Sequence, residues 1–98
     1  MFALFKYVIH YADGQKEEVP IYCEIDIDHY VQQRPAVLPG AQIAWTRPYE
    51  DSQDNAVAYA KQWNNPRPDV QIAFVDMVYV DESRGIPALL AITAAKAN

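Results

Sequence analysis

The sequence predicts an all-β fold, and three observations support this prediction. Apolar and polar residues alternate with a period of two in several short stretches, which is typical of strands that bury one face. The dipeptide Asp13-Gly14 separates two of these stretches, and Asp-Gly is a strong signal for a hairpin turn. Aromatic residues make up 12% of the chain, and they cluster with β-branched residues in short runs, which favours strands.

The first predicted element is a β-hairpin. Residues 5–11 alternate, so four apolar residues lie on one face of the strand. The residues of that face are Phe5, Tyr7, Ile9 and Tyr11. Asp13-Gly14 predicts a type I′ turn with positive φ at both central positions, followed by a return strand over residues 15–22. Pro20 cannot donate a ladder hydrogen bond, so we expect it at a sheet edge or a strand end.

Later stretches predict further strands joined by polar loops. These strands cover residues 23–28, 41–47, 70–80 and 87–94. In the stretch 23–28 we expect Cys23, Ile25 and Ile27 to point inward. In the stretch 70–80 the residues of one face are Val70, Ile72, Phe74, Val78 and Val80, and Asp76 interrupts that face. Residues 56–63 fit either a strand or a helix, because alanine tolerates both.

Loops are predicted over residues 32–40 and 49–55, and residues 64–69 form a proline-rich connector. Six or seven short strands at this spacing predict an antiparallel β-sandwich. The 98 residues are enough for one such domain and too few for two.

Charge and composition exclude several partners. The chain has 13 acidic and 8 basic residues, a net charge of −5, and its basic residues form no run. Nucleic acids and anionic membranes bind through clustered Lys and Arg, so neither is an expected partner. Two His and one Cys make a soft-metal site improbable, and we predict no cofactor. The chain as given is expected to be cytoplasmic, or extracellular or periplasmic if it belongs to a larger secreted protein.

Five segments form a pattern that extends from about Tyr7 to Thr93. They are Tyr11-Ala12-Asp13-Gly14, Val19-Pro20, Ala44-Trp45, residues 63–72 and residues 87–93. This pattern resembles the C-terminal part of bacterial β-sandwich domains of the galactose-binding-like, jelly-roll type. The most specific segment is Trp63-Asn64-Asn65-Pro66-Arg67-Pro68-Asp69. The resemblance implies a jelly-roll-like sandwich that serves as a module of glycoside-active or cell-surface proteins.

The same resemblance implies an incomplete sandwich. Domains of this type have further strands before the first hairpin, whereas this sequence begins almost on it. We therefore expect bare sheet edges and a homodimer that completes the fold. The predicted interface is the apolar face of the first strand, formed by Phe5, Tyr7 and Ile9.

Six residues are candidates for ligand contact. They are Tyr30, Trp45, Arg47, Tyr49, Trp63 and Arg67. Flat aromatic rings stack on the CH faces of sugars, but the same rings fill the core of a small sandwich, and both tryptophans fit the core better. Arg67, between two prolines, suits carboxylate recognition. An internal ion pair with Asp69 or Asp13 is the favoured alternative, and Arg47 has a similar structural alternative.

The acidic residues carry a weaker catalytic hypothesis. Asp26 on a predicted strand and Glu50 in a later loop are the carboxylates a glycosidase would need. Bound Ca²⁺ is a second option, although neither acidic group has calcium-loop spacing. A solvated acidic face explains them better, and neither Ser52 nor Ser83 lies in a nucleophile-elbow pattern.

The function predicted from the sequence is that of a non-catalytic module. A carbohydrate-binding or accessory role ranks first, and a purely structural, self-associating domain ranks second. A carboxylate-dependent glycoside hydrolase ranks third.

Overall fold

A computed structural model describes residues 3–80 and 87–94 of the chain. Six strands form two three-stranded antiparallel sheets, and no helix occurs among these residues. The strands are β1 (Ala3–Tyr11), β2 (Lys16–Tyr22), β3 (Val31–Gln32), β4 (Gln42–Pro48), β5 (Asn55–Ala60) and β6 (Ile72–Tyr79). The predicted all-β antiparallel class is thus confirmed, and the two sheets are consistent with a small β-sandwich.

The first sheet has the strand order β2-β1-β6 and contains the main apolar core. The core residues, all on β1 and β2, are Leu4, Phe5, Ile9, Tyr11, Val19 and Ile21. Tyr7, Cys23, Ile27, Trp63, Val70 and Val75 pack around them. The four residues that the alternation places on one face of the first strand, Phe5, Tyr7, Ile9 and Tyr11, therefore all contact the core. Pro20 lies on β2, an edge strand of this sheet, as the missing N–H requires.

The predicted dimer interface on β1 is wrong. Phe5 and Ile9 are buried within their own chain, with 3% and 6% of their surface exposed. Trp63 and Val70 come from the connector and its end to pack against this cluster. The face that was expected to need a second copy is therefore covered by later parts of the same chain.

The first hairpin is confirmed, but its turn differs from the predicted type. The main-chain N–H of Gly14 donates to the Tyr11 carbonyl, and that of Tyr11 donates to the Gln15 carbonyl. Gly14 has a φ of +90°, whereas Asp13 is not among the residues with positive φ. These features define a three-residue loop, a type I turn followed by a left-handed glycine, in place of a type I′ turn.

The strand predicted over residues 23–28 is wrong. The chain forms a turn there, in which Glu24 has a φ of 67° and a single bridge joins Cys23 to Ile27. The Asp26 main-chain N–H donates to the Tyr22 carbonyl, and the Tyr22 N–H donates back to the Asp26 carboxylate. Cys23 and Ile27 still pack against the core, as expected.

The last part of the described chain confirms one prediction and corrects another. β6 is a strand, as predicted. Val75 packs on the core from one face of this strand, while Phe74 on the other face is 55% exposed. Phe74 instead stacks on His10 across the outer face of the sheet, with ring centroids 4.1 Å apart. Residues 87–94 form no strand.

The second sheet has the order β3-β5-β4. β5 resolves the ambiguity at residues 56–63 in favour of a strand that ends at Ala60. The loop between β4 and β5 is confirmed and is closed by the Tyr49 main-chain N–H, which donates to the Asp54 carbonyl. β3 is two residues long and lies at the edge of the stretch predicted as a loop. Strands of the two sheets make few contacts with one another.

Candidate functional site

The structure separates the six candidate residues into three groups. Trp45 and Arg47 lie on β4. Tyr30 and Tyr49 lie just outside the second sheet and contact each other. Trp63 and Arg67 belong to the connector that leads to the first sheet. The candidate residues at the second sheet and those of the connector therefore lie in different parts of the fold.

Trp45 lies on a sheet face with small neighbours. It is 45% exposed, and its partner on β5 is Ala58. Arg47, two positions further along β4, lies on the same face opposite Ala56. Residues directly opposite each other in antiparallel strands are about 5 Å apart at Cβ, so the alanines leave the indole ring uncovered on that side. Trp45 is therefore not a core residue, contrary to the expectation for this tryptophan.

Tyr30 and Tyr49 form an aromatic pair at the surface, with Tyr30 exposed and Tyr49 half-buried. Their ring centroids are 6.1 Å apart, with the planes at 74° in an edge-to-face arrangement. Tyr30 is 66% exposed, and its carbonyl accepts a hydrogen bond from the Val57 main chain, which fixes it beside β5. The neighbouring Tyr30 side chain raises the pKa of the Tyr49 hydroxyl.

Arg67 is a structural residue. Its guanidinium donates two hydrogen bonds to the Asp13 carboxylate at the hairpin turn and lies 4.5 Å from the centre of the Tyr11 ring. Asn65 supports this arrangement, because its side-chain oxygen accepts from the Tyr11 hydroxyl at 2.6 Å and from the Arg67 main chain at 2.9 Å. Asp13 is thus the ion-pair partner, and it occupies the Nη1 and Nη2 edge of the Arg67 guanidinium.

Trp63 has one side on the core and another on an open cleft. It packs against the main core, as predicted, and also lines a depression of about 510 Å³. The other lining residues are Glu18, Val19, Pro20, Tyr22, Ile25, Asp26, Gly40 and Lys61. The cleft is bounded by the edge strand β2, the turn after it and the chain that leaves β5.

An ion pair that the sequence did not reveal fixes one side of this cleft. The Lys61 ammonium lies 2.7 Å from Asp26 Oδ1, and the Asp26 side chain is only 4% exposed. A Cβ at Gly40 would collide with the same carboxylate, so only glycine fits there. Residues 26 and 61 are far apart in sequence and share no motif, so only the packing of the turn against the end of β5 identifies them.

The acidic residues show no catalytic arrangement within the described part of the chain. Both Asp26 oxygens are engaged, one by Lys61 and the other by the Tyr22 main chain. Glu50 is exposed in the loop after β4, with a φ of 51°. No group of three or more His, Cys, Asp or Glu side chains in residues 3–80 and 87–94 is placed to hold a metal ion.

Comparisons with protein-family models, with curated proteins and with solved structures find no match. The described residues contain no helix that is long and apolar enough to cross a membrane. The resemblance to galactose-binding-like domains therefore stays a prediction from the sequence.

Proposed function

We propose that this domain is a non-catalytic carbohydrate-binding module whose platform is the exposed face of β4 and β5. The observation that carries the proposal is Trp45, an indole ring left nearly half exposed on a sheet face. Large aromatic side chains are normally turned inward in small domains, so an uncovered tryptophan with alanine neighbours favours a binding role.

The chemistry of this face suits a neutral sugar. The apolar CH face of a pyranose ring stacks on an indole, and the small side chains of Ala56 and Ala58 leave room for the ring. Arg47, on the same face, supplies several N–H donors to sugar hydroxyls. The paired hydroxyls of Tyr30 and Tyr49 provide further polar contacts at the edge of the second sheet.

The test is binding of soluble galactose-, xylose- and glucose-based polymers by affinity electrophoresis, comparing the wild type with Trp45→Ala. We expect the variant to keep its fold, because the ring is exposed, and to lose at least about thirtyfold in affinity, the loss that about 2 kcal/mol corresponds to. Trp63→Ala is the matched control, because this tryptophan packs on the core. It should lower the unfolding free energy by about 3 kcal/mol.

A wild type that binds none of the polymers would overturn the carbohydrate proposal. A Trp45→Ala variant that binds as tightly as the wild type would show that the exposed face of β4 and β5 is not the binding site.

A second candidate function is that of a self-associating structural domain. The specific observation in its favour is β6, an edge strand with exposed Phe74, Met77 and Tyr79. Apolar edge strands pair with other chains unless they are protected, so this strand favours association.

A further inference from the structure

Among the residues that the structure describes, β6 is an edge strand of the first sheet. The order β2-β1-β6 gives it one partner, β1, and no described residue pairs with its other side. The strand is eight residues long and contains a single charged residue, Asp76, whose carboxylate is held by His10 at 2.8 Å. Natural edge strands are usually short, strongly charged or interrupted by proline, whereas β6 is long, has one charge and contains no proline.

Pairing with β1 determines which main-chain groups of β6 remain open. The Val80 N–H donates to the Leu4 carbonyl, and Val78, Asp76 and Phe74 lie opposite Lys6, Val8 and His10. Main-chain groups point alternately to the two sides of a strand. The N–H and C=O groups of Val75, Met77 and Tyr79 therefore point away from β1, toward the open edge.

The apolar side chains of β6 are also unusually exposed for a strand of the sheet that contains the core. Ile72, Phe74, Met77, Val78 and Tyr79 each expose more than a third of their surface. A second strand that continues the sheet would cover part of this apolar surface.

We propose that the occupant of this edge is β6 of a second copy, paired antiparallel about a two-fold axis at Met77. The product is a continuous six-stranded sheet with the order β2-β1-β6-β6-β1-β2. This interface specifies the self-association proposed above and does not depend on sugar binding.

The side-chain pattern of β6 selects this register. A two-fold axis perpendicular to the sheet makes one residue of β6 face its own copy, and each face of the sheet then continues across the interface. Near the middle of β6, the residue at the axis can be Val75, Asp76 or Met77. An axis at Asp76 would place two carboxylates directly opposite each other, which is destabilising. An axis at Val75 would place Phe74 opposite Asp76 of the second copy and the aromatic ring of Tyr79 opposite Gln71.

An axis at Met77 forms favourable pairs on both faces. It places Val75 opposite Tyr79 on the core-facing side and Phe74 opposite Val80 on the other side. Each is an aromatic and β-branched pair, the kind that stabilises antiparallel sheets. Asp76 then faces Val78 and keeps its contact with His10 of its own chain.

The decisive experiment is symmetric disulfide cross-linking. In a Cys23→Ala background, Met77→Cys brings two cysteines together at the axis, where Cα atoms of a hydrogen-bonded pair lie about 5.5 Å apart, a normal disulfide separation. We expect a covalent dimer under mild oxidation. Ala73→Cys is the matched control, because its two copies would be separated by roughly 27 Å along the strands and should not cross-link.

Analytical ultracentrifugation complements the cross-linking. We expect the wild type to dimerise and Met77→Lys to weaken the dimer by about tenfold or more, with the circular dichroism spectrum of the folded protein retained. A wild type that stays monomeric at high micromolar concentration would overturn both the interface and the self-association. A dimer that cross-links through Ala73→Cys in place of Met77→Cys, or that is unaffected by Met77→Lys, would overturn this interface and leave self-association standing.

Discussion

Arg67 shows how one side chain joins two distant parts of this chain. Its guanidinium binds Asp13, which is 54 positions earlier, and covers the ring of Tyr11. Prolines on both sides of Arg67 restrict the backbone, so less conformational freedom is lost when the contact forms. These contacts of Arg67 thus hold the proline-rich connector against the first hairpin.

The Asp13–Arg67 pair predicts a specific pH dependence of stability. The hydrogen bonds from Arg67, and to a lesser extent that from the Gln15 main chain, lower the pKa of Asp13 below its usual value. A carboxyl group whose pKa is lower in the folded state contributes stability above its unfolded pKa of about 4. That contribution disappears as the pH falls through the folded value. Asp13→Asn should therefore unfold at a lower urea concentration than the wild type at pH 7, and at the same concentration near pH 2.

Asn at position 13 still accepts the hydrogen bond from the Gln15 main chain, so the comparison isolates the charge. Asp51→Asn, in the exposed loop after β4, is the control and should leave the urea midpoint at pH 7 unchanged. A difference between Asp13→Asn and the wild type that persists undiminished at pH 2 would contradict the assignment.

At the scale of single residues, the sequence predicted some contacts correctly and could not decide others. The contact of Trp63 with the core was predicted from its place in an alternating stretch. Trp45 also lies in an alternating stretch, but alternation does not reveal which face is covered, and its face is open. For Arg67, the choice between Asp13 and Asp69 required the fold, since both are compatible with the motif.

At the scale of elements, the turn after β2 shows why the sequence predicted a strand over residues 23–28. Apolar and acidic residues alternate there, but the acidic residue Asp26 is buried and holds the turn through the Tyr22 main chain. Its charge is balanced by Lys61, which is 35 positions away. A buried carboxylate with so distant a partner leaves no local signal, whereas the first hairpin is local and was predictable.

The Asp26–Lys61 pair carries a second stability prediction. Lys61→Ala leaves the buried carboxylate without its cation and should cost about 3 kcal/mol of unfolding free energy. In the Asp26→Asn background the same substitution should cost at least about 1 kcal/mol less, because the residue at position 26 is then neutral. Urea titration of the wild type, both single variants and the double variant measures this coupling.

Lys16→Ala, an exposed position at the start of β2, serves as the control and should change stability by less than about 0.5 kcal/mol. If the two substitutions at positions 26 and 61 proved additive, the ion pair would make no net contribution.

β6 shows a second limit of pattern analysis at this scale. Its apolar residues are on both faces, so period-two alternation could not identify the face that packs on the core. That face carries Val75, whereas Phe74 on the other face is exposed. The position of the strand, in contrast, followed correctly from its β-branched and aromatic content.

At the scale of the whole molecule, contacts outside the strands connect the two sheets. Lys61, just after β5 of the second sheet, binds Asp26 in the turn after β2 of the first sheet. Trp63, two residues further along the chain, packs on the main core. The segment that follows β5 therefore links the second sheet to the first.

The central position of β1 has a consequence for the order in which the protein folds. Its partner on one side, β2, follows in the sequence after a short turn. Its partner on the other side, β6, comes much later, and the contact between His10 and Asp76 joins residues 66 positions apart in the sequence. Closing so long a loop costs entropy before any contact compensates for it, and such closures slow folding. During synthesis, the N-terminal hairpin therefore leaves the ribosome well before its neighbour β6 has been made. For that interval one edge of β1, with the core residues beneath it, stays unpaired, which exposes the nascent hairpin to incorrect pairing with other chains.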